Sequence, residues 1–436
     1  MRFGVAKDII TPVEPTMLTC TGVYNETYKE IHDDIFVRCL VIDDGKRKAV
    51  LMAFDLIFHD RTLNREIARY AKEKHGIDPA AVVLTHTHSH TTPSTPSYNR
   101  YNPMCRNEAF EKLLFDRAKD CLDRAMYTMF EGEMEYGSFD GDFNVSRRGK
   151  VNGKYKIHPN FDYICDKEFF VLRVTDTRGN LRSIVCNYPC HPVFYPSADE
   201  LSGEFPGRLS QLLECEYYGA VALYTQSSAG DVRPLTAVDY KDDGSLGFKK
   251  LPFSGVDEFA KMMFKSVCDF LNNGSFKSVD ATLAADEFTI ELEIEPAPIS
   301  AFEARIEYEK AKPVPAPGNS NWLNAEHAVA GGYDDLPESV TLHCQTLKIC
   351  DSLYIATVGG EPCFGVKNAV KAAFGESDVL FIGYTDDCAY LVDDRVLSEG
   401  GYEPECHIEY NLKGPFKSGL DDKYTSGFKA SFERIG

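Results

Sequence analysis

The sequence has no apolar run near the roughly 18–20 residues needed to cross a bilayer as a helix, and no membrane association is expected. It is short of cations: 47 Lys plus Arg face 67 Asp plus Glu, for a formal charge of −20 over 436 residues. That deficit argues against nucleic acid as a partner, because binding phosphate backbones needs a local excess of positive charge. There is no Gly-x-Ser-x-Gly elbow, which disfavours a standard serine hydrolase. A phosphate-binding loop and a dinucleotide fingerprint are also missing. The 14 Cys are scattered, with no Cys-x-x-Cys pair, so they read as reduced thiols rather than a disulfide scaffold or a cysteine zinc site. The start, Met1-Arg2-Phe3-Gly4-Val5-Ala6, lacks the pattern of a signal peptide, which gives a cytoplasmic location as the expectation.

What is present is an ordinary globular composition, 43% apolar and 26% charged, so global disorder is not expected. Two apolar runs around Asp43-Asp44-Gly45-Lys46 read as a hairpin, and a second hairpin is expected around Thr177-Arg178-Gly179-Asn180. Helical spacing runs over residues 61–75, 107–131, 203–217 and 255–272, with Gly76 as a C-cap for the first. Short buried strands are expected at 81–84, 220–224, 353–358 and 379–384, each leading into polar residues. The reading is α/β: one large domain spanning 1–436, with mixed β-sheets, surrounding helices and a site at strand ends. Residues 311–338 are rich in Pro, Gly and Asn and read as an irregular insertion, a candidate lid carrying the sole tryptophan, Trp322.

Three of the 11 His fall in Thr85-His86-Thr87-His88-Ser89-His90, directly after a buried strand. In an extended segment residues i and i+2 share a face, so His86 and His88 could reach one metal, or one could ligate while the other serves as a base. A polar turn of solvated imidazoles is the bland alternative. His191, between Cys190 and Pro192, and Glu361, after two glycines at a strand end, are further ligand candidates. A structural histidine and a helix-capping carboxylate are their bland readings.

Taken together, these blocks resemble the catalytic domain of the neutral/alkaline (non-lysosomal) ceramidase family. The resemblance rests on Asp8-Ile9-Ile10-Thr11-Pro12, Ala53-Phe54-Asp55-Leu56, Thr85-His86-Thr87-His88-Ser89 and Cys190-His191-Pro192. It continues through Leu201-Ser202-Gly203-Glu204-Phe205-Pro206-Gly207, Ala229-Gly230-Asp231-Val232, Gly360-Glu361, Tyr390 and Gly400-Gly401-Tyr402-Glu403. The resemblance implies one zinc ion per chain held by His86, His191, Glu361 and Tyr390, with His88 beside the zinc-bound water as the candidate base. It also implies that Tyr402 hydrogen-bonds the substrate or the developing oxyanion, and that an arginine near the site contacts substrate. Arg147 and Arg148 both stand as candidates for that arginine.

One position departs from the family pattern. Where the family carries a serine after Gly-Asp-Val, this chain has Arg233. A guanidinium stays protonated and is not acylated, so a serine-dependent mechanism at that position is excluded and true ceramidase activity is not expected. Arginine grips carboxylate, phosphate or sulfate through paired hydrogen bonds. The expected function is therefore zinc-dependent hydrolysis of an amide or ester bond in a small, polar, anionic substrate, with Arg233 and Arg147 or Arg148 binding the anion. A structural ion pair between Arg233 and Asp231 or another acid is the alternative for that residue. For the whole chain the alternatives are a zinc lyase, an isomerase, a glycan-processing enzyme or a non-catalytic binding protein. The family's additional C-terminal β-sandwich is not expected, and the oligomeric state is left open, a homo-oligomer included.

Overall fold

The computed structural model describes residues 1–18, 27–93, 107–194, 199–312, 319–386 and 389–436. Its largest sheet runs, strand by strand, Val221–Gln226, Leu181–Tyr188, Glu168–Asp176, Phe130–Asp140, Arg2–Ile9, Phe36–Asp43, Lys48–Phe54 and Val82–His86. Most neighbours are antiparallel, but Val82–His86 pairs in parallel with Lys48–Phe54, and Val221–Gln226 with Leu181–Tyr188. A second sheet orders Ala284–Glu293, Ser339–Cys350, Leu353–Val358 and Asp378–Ile382, the last pair parallel. The architecture is mixed α/β. Among the described residues no helix is long and apolar enough to cross a membrane.

The local chemistry explains the elements that frame the site. Helix Arg61–His75 starts at Asp60, whose carboxylate accepts the Leu63 amide, and stops at Gly76 in the left-handed region (φ 66°). Its apolar residues Leu63, Ile67 and Ala71 recur at helical spacing and pack into a core with Val50, Met52, Val82 and Leu84. The strand Val82–His86 is buried throughout, as expected for a parallel edge covered on both faces.

A buried charge cluster ties the first sheet to helix Glu204–Glu216. Arg38 donates to Asp55 at 2.7 Å and to Glu214 at 3.0 Å, with Arg38 and Asp55 side chains each 1% exposed. Asp55 also accepts the Phe36 amide at 3.0 Å. Removing one partner of such a buried set typically costs about 3–5 kcal/mol, because the other charge is left uncompensated. The consequence is local: Asp55 fixes the turn whose next two carbonyls, Leu56 O and Ile57 O, hold the backbone and ring of His88.

The segment 311–338 differs from the irregular insertion expected of it. Residues 313–318 lie outside the described residues, but Ser320–His327 is an α-helix capped by Asn319, followed by helical turns through Asp335. Ala325, Ala328 and Leu336 form a small apolar cluster with Phe302, Ile306 and Ile408. The prolines and glycines punctuate the segment without preventing this packing.

Candidate functional site

Strand Val82–His86 ends where the sheet ends, and the chain then turns sharply: His88 adopts φ 64°. This is the left-handed region, sparsely used by non-glycine residues and concentrated at functional sites. The turn is held by Thr87 N to Phe54 O at 2.9 Å and His88 N to Leu56 O at 2.8 Å. From behind, Ser89 Oγ donates to Gly203 O at 2.7 Å and Thr91 Oγ1 to Ser202 O at 2.9 Å.

The turn brings His88 and His90 against His191. The three Nε2 atoms lie 3.0–3.1 Å from one another in a buried cluster. Glu361 reaches the same point, its Oε2 3.1 Å from His88 Nε2 and 3.8 Å from His191 Nε2. His88 Nδ1 faces Ile57 O at 2.9 Å and His191 Nδ1 faces Ala229 O at 3.1 Å. A carbonyl partner requires the proton on Nδ1, which leaves each Nε2 as a lone pair. Lone pairs and a carboxylate oxygen therefore converge on one point, and Glu361 Oε2 has no hydrogen-bond donor. Such a set repels itself unless a cation sits among it, and imidazole with carboxylate is a donor set that suits zinc. Burial, followed by neighbouring positive charge, lowers His90 and His191 well below the ordinary histidine value, so both are neutral. Burial raises Glu361, but His88 when protonated, the Tyr410 hydroxyl and the Arg147 charge oppose it and hold the carboxyl below its usual range.

Glu361 and Tyr390 are direct partners in a short parallel pairing of Glu361–Pro362 with Tyr390–Leu391. The Tyr390 ring stacks on His191 with centroids 6.5 Å apart and planes 19° apart. The Gly230 backbone passes against this pairing so closely that an added Cβ would lie 2.8 Å from Glu361 O, which accounts for the glycine.

Arg147 lies beside this centre. Its guanidinium sits 5.1 Å from the Tyr390 ring centroid and 5.3 Å from that of Tyr402, and its Nε donates to Glu403 at 2.9 Å. Nη2 is buried without an acceptor of normal geometry. Arg148, one residue on, faces Glu399, Gly400 O and Tyr163 and shares Glu403 with Arg147. Arg233, half-buried on Val232–Pro234, pairs in register with Val145 and lies over Phe248 at 5.1 Å. Its charge contributes to the lowering of His90. Asp231 accepts the Phe364 amide at 3.2 Å.

A family model for the neutral/alkaline non-lysosomal ceramidase N-terminal domain matches residues 2–247. The chain belongs to that family. Two solved ceramidase structures share the fold. Neutral ceramidase from Pseudomonas aeruginosa aligns with a TM-score of 0.73 at 18% identity, over all of this chain and 75% of that one. A ceramidase in complex with C2 aligns with the same score at 19% identity and the same coverage. The family is one of hydrolases, which supports an enzyme here.

Within this ceramidase-family fold the structure brings His88, His191, Glu361, Tyr390 and Arg147 together and leaves His86 apart. His86 does not join the three-imidazole cluster. It is still on the strand, with its amide on Tyr384 O at 3.0 Å and its ring T-shaped against His59 at 5.1 Å. The expected shared face of His86 and His88 assumed an extended chain, but the left-handed turn at His88 ends that alternation. The repeated Thr-His-Thr-His-Ser-His can be framed two ways, two residues apart, and the structure brings the later pair together. Arg148 is buried on the far side, against Tyr163 and Glu399, while Arg147 is turned toward Tyr390.

Other residues carry little sequence signal. Tyr410 donates from its hydroxyl to Glu361 Oε1. Tyr384 is buried 4.7 Å from the His88 ring with its hydroxyl unpartnered. Tyr402 donates to Glu409 at 3.3 Å, and Glu409 also receives Asn321 at 3.1 Å. Tyr402, His90 and Glu403 lie within motifs legible beforehand, whereas Tyr384 and Tyr410 do not. The buried serines in neighbouring loops are committed elsewhere, Ser227 and Ser228 to Asp166 at 3.4 and 3.0 Å.

Proposed function

We propose that this protein is a metal-dependent hydrolase that cleaves an amide or ester bond of a small, polar, anionic substrate by attack of water. The reading is carried by the convergence of His88, His90 and His191 Nε2 atoms with Glu361 on one buried point, flanked by Arg147 and Arg233. His88, His191 and Glu361 would hold the ion, most naturally zinc, with Tyr390 beside them. When bound, such an ion polarises an acyl oxygen and lowers the pKa of a coordinated water.

The remaining roles belong to this chain's own groups. His90 is 7% exposed against 1% for His88 and His191, so it is the imidazole on the open side. Neutral and accessible, it takes up the proton released as water adds to the acyl carbon, and returns it to the leaving group. Arg147 Nη2 is the donor for charge developing on the acyl oxygen, joined by the Tyr402 hydroxyl once it turns from Glu409. Arg233 replaces the serine of the family pattern, supplying a fixed cation where a nucleophile would stand. That exchange favours a substrate carrying a carboxylate, phosphate or sulfate over ceramide.

The test is a panel of N-acyl amino acids, neutral N-acyl amines and aryl esters, assayed with zinc-loaded and metal-depleted protein. Acid release from anionic members, abolished by depletion, is expected. Arg233→Ala should raise KM for an anionic substrate roughly tenfold to a hundredfold, the worth of a charge-assisted hydrogen bond, and leave a neutral ester unchanged. Zinc-dependent conversion of a substrate without acid release would move the assignment to a lyase or isomerase. An unchanged KM would remove the anchoring role of Arg233.

A further inference from the structure

Helix Arg61–His75 carries Arg61, Arg65, Arg69 and Lys72 at spacings that place all four along one face. That face lines a cavity of about 320 Å3, closed on the other side by Glu287, by His343 of the Ser339–Cys350 strand and by Asp386. The arrangement is unfavourable by itself. Like charges four apart on a helix repel one another. Arg61 and Arg65 lie near the positive end of the helix dipole, and the first turn has no acid to offset them. In a chain with a net charge of −20, four cations facing one cavity run against the composition.

Two of the four are already compensated. Arg61 pairs with Glu287 at 2.8 Å and Asp386 at 3.3 Å, and Arg69 pairs with Glu66 and with Glu73. Arg65 and Lys72 have no carboxylate within ion-pair distance among the described residues. At the cavity wall His343 Nδ1 is buried without a hydrogen-bond partner. Burial, then the charge of Arg61, pushes His343 down to about 4, with Glu287 opposing, Arg65 adding to the fall and Glu291 opposing less. The field inside the cavity is therefore positive, with spare donors directed into it.

We propose that this cavity is a binding site for a small organic anion with a phosphate-like oxyanion head, separate from the metal centre. Arg65 and Lys72 supply the uncommitted charge, Arg61 the fork held at the cavity floor, and the volume leaves room for an organic group behind the head. The site has a physical link to the centre. Asp386, whose carboxylate an anion would displace from Arg61, accepts the Gly360 amide at 3.1 Å through its carbonyl, one residue before Glu361.

The experiment is calorimetric titration of the full-length protein with phenyl phosphate, with inorganic phosphate and phenol as the two halves of the probe. With the substrate anchor removed by Arg233→Ala, saturable one-to-one binding of phenyl phosphate is expected, with none by phenol. Arg65→Ala should weaken it about tenfold or more, Lys72→Ala should weaken it to a smaller degree, and His88→Ala should leave it unchanged. Binding should also raise the pH at which the His343 ring titrates. No saturable binding, binding indifferent to both Arg65→Ala and Lys72→Ala, or binding lost only in His88→Ala would overturn the proposal. Arg65-dependent sedimentation with phosphatidic acid vesicles in the absence of phenyl phosphate binding would also overturn it, assigning the surface to a lipid headgroup. Because the readout is binding, it stands or falls apart from the hydrolase assignment.

Discussion

Tyr410→Phe is the sharpest probe of the proposed centre, because it removes one oxygen and keeps the ring. The Tyr410 hydroxyl donates to Glu361 Oε1, leaving Oε2 to face His88 and His191. That hydrogen bond selects which carboxylate oxygen points inward. A neutral donor on a buried charged acceptor is worth about 1.5–3 kcal/mol, which corresponds to roughly tenfold to a hundredfold in an equilibrium constant. The loss of partners outside the ligands commonly weakens metal affinity by the same factor. The zinc dissociation constant, measured by competition with a chromophoric chelator, should therefore rise roughly tenfold to a hundredfold, and the apo protein should also unfold at a lower temperature because Glu361 Oε1 is left buried without its donor. Tyr70→Phe removes a hydroxyl that donates to Asp123 at 2.9 Å on the surface and serves as the control, expected to be silent. Equal zinc affinities for Tyr410→Phe and wild type would refute the reasoning that Glu361 is oriented as a ligand.

The other predictions follow from the same geometry. His88→Ala should lose the metal, His90→Ala should keep it while turnover falls roughly 10²–10⁴-fold as for loss of a general base, and His86→Ala should keep metal and chemistry with only a stability cost. Elemental analysis alongside kcat separates the three, and a His86→Ala variant devoid of metal would contradict the assignment. Burial and the Glu403 charge push Asp231 up to about 7, against an unfolded value near 3.8. Its contribution to stability is thus full below about pH 4 and lost as pH rises through about 7. The Tm advantage of Asp231→Asn over wild type should grow between these limits and level off above them, and a difference independent of pH would count against the shift. Helix Ser320–His327 reaches Tyr402 through Asn321 and Glu409, so saturating substrate analogue should change the emission of Trp322. Unchanged emission would remove the lid role of this segment.

Much of the scaffold was legible because it follows from local chemistry. The hairpin around Asp43-Asp44-Gly45-Lys46 forms with Asp43 opposite Lys48. The helix over residues 61–75 ends at Gly76 as its periodicity requires. Leu353–Val358 matches its apolar run, and the strands leading to His88, His191 and Glu361 do end in polar residues that meet. What escaped was the geometry of turns and long-range pairing. The frame of the histidine run depends on one backbone angle at His88, and nothing in Thr85-His86-Thr87-His88-Ser89-His90 distinguishes its two registers. The choice between Arg147 and Arg148 depends on which face of Asn144–Val151 meets Glu399 and which meets Tyr390. Tyr410 acts on Glu361 from 49 positions away, within a stretch that carries no motif.

The most direct test of the metal centre is anomalous diffraction at the zinc edge from crystals of the zinc-loaded protein. The account predicts one strong peak per chain, bounded by His88 Nε2, His191 Nε2 and Glu361, with His90 on its open side and His86 well removed. A peak coordinated by His86 and His59 instead, or no peak after zinc loading, would contradict it.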